Sequence, residues 1–353
     1  MRPTLHQELE ARLDEIIADP ANAMLPSERE LIARFGVSRT TVRRAVQTLV
    51  LAGRVRPEHG KGNVIARGAA RRPGKILLLL KEDAGRYQIE AFECLLGALS
   101  DAGLGALSLI IRDGESPARK VAALLADFDG VILADWLSED AELHRLLSKS
   151  GKRAAVLRHQ PLRFPYAFAA EDRAEAFRLL GLHLAGLGHR RVALLATPCD
   201  DLRRGGLERG LAEAGLELDP ALVFDSAGRT ADGFKSAGRL LDSGRPFTAV
   251  VAHNDECALG VMHRLMLAGI RVPEDVSLTG YDNLRESASY PAPLTTCAGD
   301  LKQLCGQVVE FIGSPSPGVG LKSLMRPSLH VRASTAHSPQ VSGARLEKPL
   351  AAK

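Results

Sequence analysis

Five arginines stand between residues 29 and 44, at positions 29, 34, 39, 43 and 44, with Thr40 and Thr41 among them. A guanidinium carries a fixed fork of donors that matches a phosphate or the O6/N7 edge of guanine, and a hydroxyl serves either. That chemistry needs a rigid element to present it. Val42, Ala45, Val46, Leu49 and Val50 recur at helical spacing and form one apolar stripe. Arg39, Thr40, Arg43, Arg44 and Gln47 then fan over the opposite face. Ser38 is placed to cap the first turn through the N–H of Thr41. A shorter helix precedes it, marked by Leu31, Ile32 and Phe35, with Ser27 as cap, Glu28 in the first turn and Gly36 as terminator. Helix, tight glycine turn and cationic second helix describe a helix-turn-helix. An ordinary solvated charged face is the competing reading, and the turn weighs against it.

The stretch "AGRVRPEHGKGNVI" at residues 52–65 follows. Arg54 to Arg56 reads as a strand, Pro57 to Gly62 as a turn and Asn63 to Ile65 as the return strand. A hairpin behind a recognition helix is a wing, here tipped by His59, Gly60 and Lys61. Residues 25–66, with "PSEREL", "VSRTTVRRA" and "HGKG", resemble the winged helix-turn-helix of the GntR regulators. The resemblance implies that Arg29, Arg39 and Arg43 reach phosphates and guanine edges, with Thr40, Thr41 and Arg44 alongside. It also implies that His59 and Gly60 enter the minor groove, with Lys61 beside them.

The charge distribution fits a local nucleic-acid module. Residues 21–74 hold eleven Lys and Arg against three Asp and Glu, a net of +8, whereas the whole chain of 353 residues carries +4. Hydrophobic content of 45% and charged content of 25% describe a globular protein of two or three domains. No apolar run approaches the ~18 residues of a membrane span, and the acid-bearing start is no secretory signal, so a cytoplasmic location is expected. Five scattered cysteines without a CxxC pair fit reduced core thiols and offer no metal site. His189, in "GLGHRR", reads as a structural hydrogen bonder.

Residues 67–74, small, basic and closed by Pro73 and Gly74, read as a linker after a DNA-binding domain at 1–66. Beyond it, apolar runs such as "KILLLL" (75–80), "GVILA" (130–134) and "RVALLA" (191–196) alternate with amphipathic segments. Such alternation means βαβ units and a parallel sheet covered on both faces, with ligands at the carboxyl ends of the strands. The expected fold class is therefore α/β, with an N-terminal winged helix-turn-helix.

"HLAGLGHRRVALLA", "LRRGGLERGLAEAGL" and "VVAHNDECALGVMHRLMLAGIRVPEDVSLTGYDN" resemble the effector domain of LacI/GalR regulators, itself similar to periplasmic sugar-binding proteins. That likeness implies two Rossmann-like lobes over 75–335 closing on a small ligand. Lobe 1 is expected at about 75–160 plus 288–318, and lobe 2 at about 161–287 plus 319–335. The join to a GntR-type reader without a hinge helix is similar to arabinose-repressor-type regulators. The implied effector contacts are Arg203, Asn254, Asp255 and Asp282. In the first lobe, Tyr87 and Gln88 stand where aromatic pairs are common, and Trp136 ends the third strand. Arg158 stands where many members carry an acid, so two arginines facing one cleft would suit an anionic sugar derivative.

The sequence thus points to a repressor that binds a palindromic double-stranded operator as a homodimer under control of a sugar-like ligand. The alternative is a ligand-independent DNA-binding dimer with a vestigial cleft. An enzyme is disfavoured, because no nucleophile-elbow, P-loop or metal-ligand motif appears, and no cofactor is implied. Residues 336–353 show no periodicity and are expected to be disordered.

Overall fold

A computed structural model describes residues 5–19, 22–51, 55–58, 62–65, 74–157, 164–198, 200–314 and 320–339. Residues 67–73 of the expected linker at 67–74 lie outside these residues.

The N-terminal unit is built from α1 (Leu5–Ala18), α2 (Glu28–Phe35), α3 (Arg39–Leu51) and the antiparallel strands β1 (Val55–Glu58) and β2 (Gly62–Ile65). Its core is the stripe read from the sequence. Val42, Ala45, Val46 and Leu49 pack against Leu9 and Leu13 of α1 and Leu31 of α2. Ser27 and Glu30 form a capping box, and Gly36 closes α2 in the left-handed conformation at φ 65°. Ser38 Oγ accepts from the N–H of Thr41 at 3.1 Å. The wing departs from expectation at Pro57, which lies in β1 opposite Asn63 rather than in the turn. A two-stranded ribbon has free outer edges, so a residue without an N–H is tolerated there.

The remainder forms two doubly wound lobes. Lobe 1 contains β3 (Lys75–Lys81), α4 (Arg86–Asp101), β4 (Gly105–Ile111), α5 (Pro117–Leu124), β5 (Gly130–Ala134), α6 (Ala141–Ser150), β6 (Arg153–Leu157) and β7 (Ala167–Glu171). The chain then crosses to lobe 2 for α7 (Arg173–Gly186), β8 (Val192–Ala196), α8 (Asp201–Glu213), β9 (Val223–Asp225) and α9 (Thr230–Asp242). Lobe 2 continues with β10 (Ala249–Val251), α10 (Asp255–Leu267), β11 (Ser277–Tyr281) and β12 (Thr295–Ala298). It returns to lobe 1 for α11 (Leu301–Gly313) and β13 (Lys322–Met325), and ends in lobe 2 with β14 (Ser328–His330).

The sheet orders are β4-β3-β5-β6-β7-β13, all parallel, and β9-β8-β10-β11-β12-β14, with only the last strand antiparallel. Alternate residues of β3 serve opposite faces: Ile76 and Leu78 meet α4 and α11, while Leu77 and Leu79 meet the layer of α5 and α6. In lobe 2 the helices pack through glycines. A Cβ on Gly260 of α10 would sit 1.9 Å from the carbonyl oxygen of Thr230, and one on Gly233 of α9 would sit 2.0 Å from that of Cys257.

The crossings fall after residues 171, 298 and 325, seven to eleven residues later than expected at 160, 287 and 318. The short runs "AFAAE" and "TTCA" each add one more strand before the chain changes lobe, and neither carries a pattern that assigns it to a sheet. The start of the expected disordered tail also needs correction. The N–H of Ala336 donates to Ser277 Oγ at 3.1 Å and the N–H of Ser338 to the carbonyl of Leu187 at 2.8 Å. His189 is fully buried and bonded to Thr248 Oγ1, Ser277 Oγ and the carbonyl of Ala336. Residues 336–339 are thereby part of lobe 2, and 340–353 lie outside the described residues. No helix among the described residues is long and apolar enough to cross a membrane.

Candidate nucleic-acid interface and effector cleft

On α3, Arg39, Thr40 and Arg43 are exposed and Thr41 is half-buried, its hydroxyl 2.8 Å from Ser38 Oγ. Arg29 is exposed on α2. The face is not purely cationic. Glu28 turns its carboxylate onto α3, where Arg43 Nε donates to both oxygens at 3.0 and 3.2 Å and Arg39 Nε to one at 3.4 Å. The hydrogen bond from Arg43 holds the Glu28 carboxyl below its ordinary range. The sequence showed Glu28 only as a first-turn acid; its contact with α3 depends on the angle between the helices. The wing strands are fastened to the body by the N–H of Leu25 on the carbonyl of Asn63 and the N–H of Ile65 on that of Ala23. His59, Gly60, Lys61 and the side chain of Arg44 lie outside the described residues.

The second candidate site lies at the carboxyl ends of the strands. Arg203, in the first turn of α8, is 5% exposed and far from a free cation. Its Nε donates to the carbonyl of His253 at 2.9 Å, Nη1 pairs with Asp200, and the guanidinium lies 5.5 and 5.6 Å from the rings of Phe177 and Tyr281. Asp200 also caps α8 and stands 3.6 Å from Arg173. Arg203 is thus held inside the lobe by an acid that it shares with Arg173. Arg158, the other arginine expected to face the cleft, lies outside the described residues, as does the side chain of Trp136.

Asn254 caps α10, its Oδ1 accepting from the N–H of Cys257 at 2.8 Å. Asp282, at the end of β11, is nearly buried with φ 122°, a conformation L residues seldom adopt, and Asn283 follows at φ 51°. Arg332 braces this turn through Asn283 Oδ1 and the carbonyl of Leu294. Asp255 corrects the expectation that it meets a ligand. It is fully buried, Oδ1 accepting from the Thr296 hydroxyl at 2.6 Å and Oδ2 from the N–H of Leu284 at 2.8 Å. Burial and the neighbouring Asp282 push its pKa up to about 7. Successive residues on a helix point about 100° apart, so Asn254 at the cap and Asp255 after it face different surroundings.

Tyr87 is likewise a core residue, packed with Leu78, Ala91 and Leu95. With the half-buried Gln88 it lines an apolar pocket beside Leu80, Leu133 and Leu157. The sequence reading overlooked Glu171 and Tyr281, which meet where the chain crosses between lobes: the Tyr281 hydroxyl donates to Glu171 Oε2 at 2.8 Å. It also overlooked Arg86, Glu90 and Glu256, which join the lobes from opposite sides. No short-range pattern marks such pairs, whose members lie 110 to 195 residues apart. Among the described residues no group of three or more His, Cys, Asp and Glu could hold a metal ion.

A winged helix-turn-helix with a cationic recognition helix, joined to a domain of two doubly wound lobes, defines a DNA-binding transcription regulator. Comparison gives the family. Residues 5–65 match the model of bacterial regulatory proteins of the gntR family, and residues 182–335 that of a periplasmic binding protein-like domain. The chain is 32% identical over 248 residues to the HTH-type transcriptional regulator AglR of Rhizobium meliloti, covering 65% of this chain and 67% of that protein. The match to the regulator DegA of Bacillus subtilis, at 30% identity, covers 64% of that protein. The chain belongs to the helix-turn-helix transcriptional regulators of LacI/GntR type. Solved structures agree in fold. A LacI family regulator from Enterococcus faecium with bound ribose matches at TM-score 0.66 and 22% identity, over 75% of this chain and all of that one. The lac repressor dimer bound to operator matches at TM-score 0.65 and 24% identity, over 83% and 98%.

Proposed function

We propose that this protein is a homodimeric repressor whose hold on a palindromic operator is controlled by a neutral, sugar-like ligand bound between the lobes. The observation that carries this is the placement of Asn254 and Asp282 just beyond the carboxyl ends of β10 and β11, an amide and a carboxylate of the kind that polyols engage. The Asp282 carboxylate at the end of β11 favours a neutral ligand over a uronate or sugar phosphate. Arg29, Arg39, Thr40, Thr41 and Arg43 read the operator, with Arg44 and the wing residues His59, Gly60 and Lys61 assigned to it by the family resemblance. Half-exposed Leu107 and Ile110 on the edge strand β4, with Met266 and Leu267 at the end of α10, give the dimer apolar surface to cover. The relatives' ribose and operator complexes support both parts of the reading. A ligand-independent dimer is the second reading, favoured by the direct hydrogen bonds that Glu256 and Glu90 make between the lobes.

A thermal-shift panel of pentoses, hexoses, uronic acids, sugar phosphates and nucleobases tests it. A ligand at ~100 times its Kd adds ~2.7 kcal/mol to the native state. Hits confined to neutral sugars, with weakened operator binding in their presence, support the proposal. Hits among uronates or phosphates overturn the neutral-ligand assignment, and silence across the panel favours the second reading.

A further inference from the structure

The N-terminus of α4 lacks a cap of its own. Gly85 occupies the cap position and supplies no side chain, so the first N–H groups of the helix need an outside acceptor. Glu256, in the first turn of α10 in the other lobe, provides it: Oε2 accepts from the N–H of Arg86 at 3.1 Å. The arrangement is returned in the opposite direction. Glu90, one turn along α4, accepts through Oε1 from the N–H of Arg285 at 3.0 Å. Arg285 opens a 3-10 turn of lobe 2 (Arg285–Ser289) that also lacks a side-chain cap. Each lobe thus satisfies a backbone donor of the other.

Packing supports the same contact. A Cβ on Gly85 would lie 2.7 Å from Arg229 Nη1 and from Gln88 Oε1 and 3.3 Å from Glu256 Oε2, so side chains of both lobes close over this helix start. Arg86 pairs with Glu286 at 3.0 Å, and Arg229 lies 3.7 Å from Glu256 and 4.0 Å from Asp83. Leu284, the residue before the 3-10 turn, is buried in the apolar cluster of α4 and α11. The Glu256 carboxylate lies at the N-termini of two helices, its own and α4, and both favour its negative charge.

We propose that Glu256 and Glu90 are positioning residues of a reciprocal capping clasp that ties the two lobes together. Both caps exist only with the lobes in this contact, so they form and break together, and their strength sets the starting point from which any ligand acts. The functional consequence rests on the ligand-controlled reading above; the clasp itself does not.

Hydrogen exchange of the full-length protein, without DNA or ligand, tests this on peptides containing the amides of Arg86 and Arg285. In Glu256→Ala the Arg86 amide loses its acceptor directly. The clasp requires that the Arg285 amide, still facing Glu90, also exchanges faster, by about fivefold to tenfold for a cap of ordinary strength. Glu90→Ala gives the reciprocal result and serves should the first variant fold poorly. If each variant accelerates only its own amide, the two are unrelated local caps and the proposal falls. No acceleration at either site means the contacts do not hold in solution, which also overturns it. Either failure leaves the ligand screen untouched, and a silent screen leaves the clasp standing.

Discussion

Arg43 Nε donates to both carboxylate oxygens of Glu28, and Arg39 Nε reaches the same carboxylate. One acid from the first helix of the motif thereby holds two arginines of the second. Contact through Nε leaves the outer edge of each guanidinium turned away from the acid, the edge suited to a guanine or a phosphate.

Arg39→Ala is therefore expected to weaken specific operator binding by ~1–3 kcal/mol and to leave the unfolding temperature nearly unchanged. Glu28→Gln adds one positive charge, so binding to unrelated duplex should tighten at low salt. If Glu28 orients the arginines, the ratio of specific to non-specific affinity should nonetheless fall. Anisotropy titrations with operator and scrambled duplex over a salt series read both. An Arg39→Ala protein with unchanged operator affinity would show that another face meets the DNA.

The pH dependence of stability should carry the signature of Asp255. Its folded pKa, about 7, lies above its unfolded value, so its contribution is fully present below the unfolded pKa and is lost as pH rises through the folded one. The window runs from about pH 4 to about pH 7, at ~1.4 kcal/mol per unit of displacement. Asp255→Asn should flatten thermal stability across that window. Because Asp282 is the second cause of the shift, Asp282→Asn should move the upper edge of the window to lower pH. Melting curves from pH 4 to 9 decide, and a wild-type profile flat over this range would contradict the assignment.

Asp282→Ala should remove the stabilisation given by whichever compound scores in the ligand panel, while operator binding survives. Strand-end position, near burial and φ 122° all set this carboxylate apart from an ordinary turn cap. Persistence of the ligand shift in the variant would place the ligand on other residues.

Two adjacent glycines in α8 should respond in opposite directions. A Cβ on Gly206 would lie 2.3 Å from the carbonyl oxygen of Ala174, whereas one on Gly205 meets nothing within 4 Å. Gly206→Ala should destabilise lobe 2 by ~1–3 kcal/mol or more through overpacking. Gly205→Ala should be neutral or stabilising by up to ~1 kcal/mol, from helix propensity alone. Chemical denaturation of the two variants makes the comparison, and equal effects would refute the packing account.

What the sequence determined by itself is local or periodic. Ser27, Gly36 and Ser38 announce the ends of α2 and α3 because a cap bonds within about three residues of itself. The stripe from Val42 to Leu49 announces the buried side of α3 because the helical period is fixed, and the doubly wound architecture followed from apolar runs spaced by helical patterns. Tertiary structure decided which neighbours those residues meet. Asp255 read as a ligand contact beside Asn254, but Thr296 and Leu284 arrive from 41 and 29 residues away and enclose its carboxylate. Arg203 read as a cleft cation, and Asp200 with the rings of Phe177 and Tyr281 absorb it into the lobe. The assignment of 167–171 to lobe 1, and the meeting of Glu256 with Arg86 across 170 residues, follow the same rule. A side chain's type and helical phase are written along the chain, but its partners are set by chain crossings that leave no periodic trace in it.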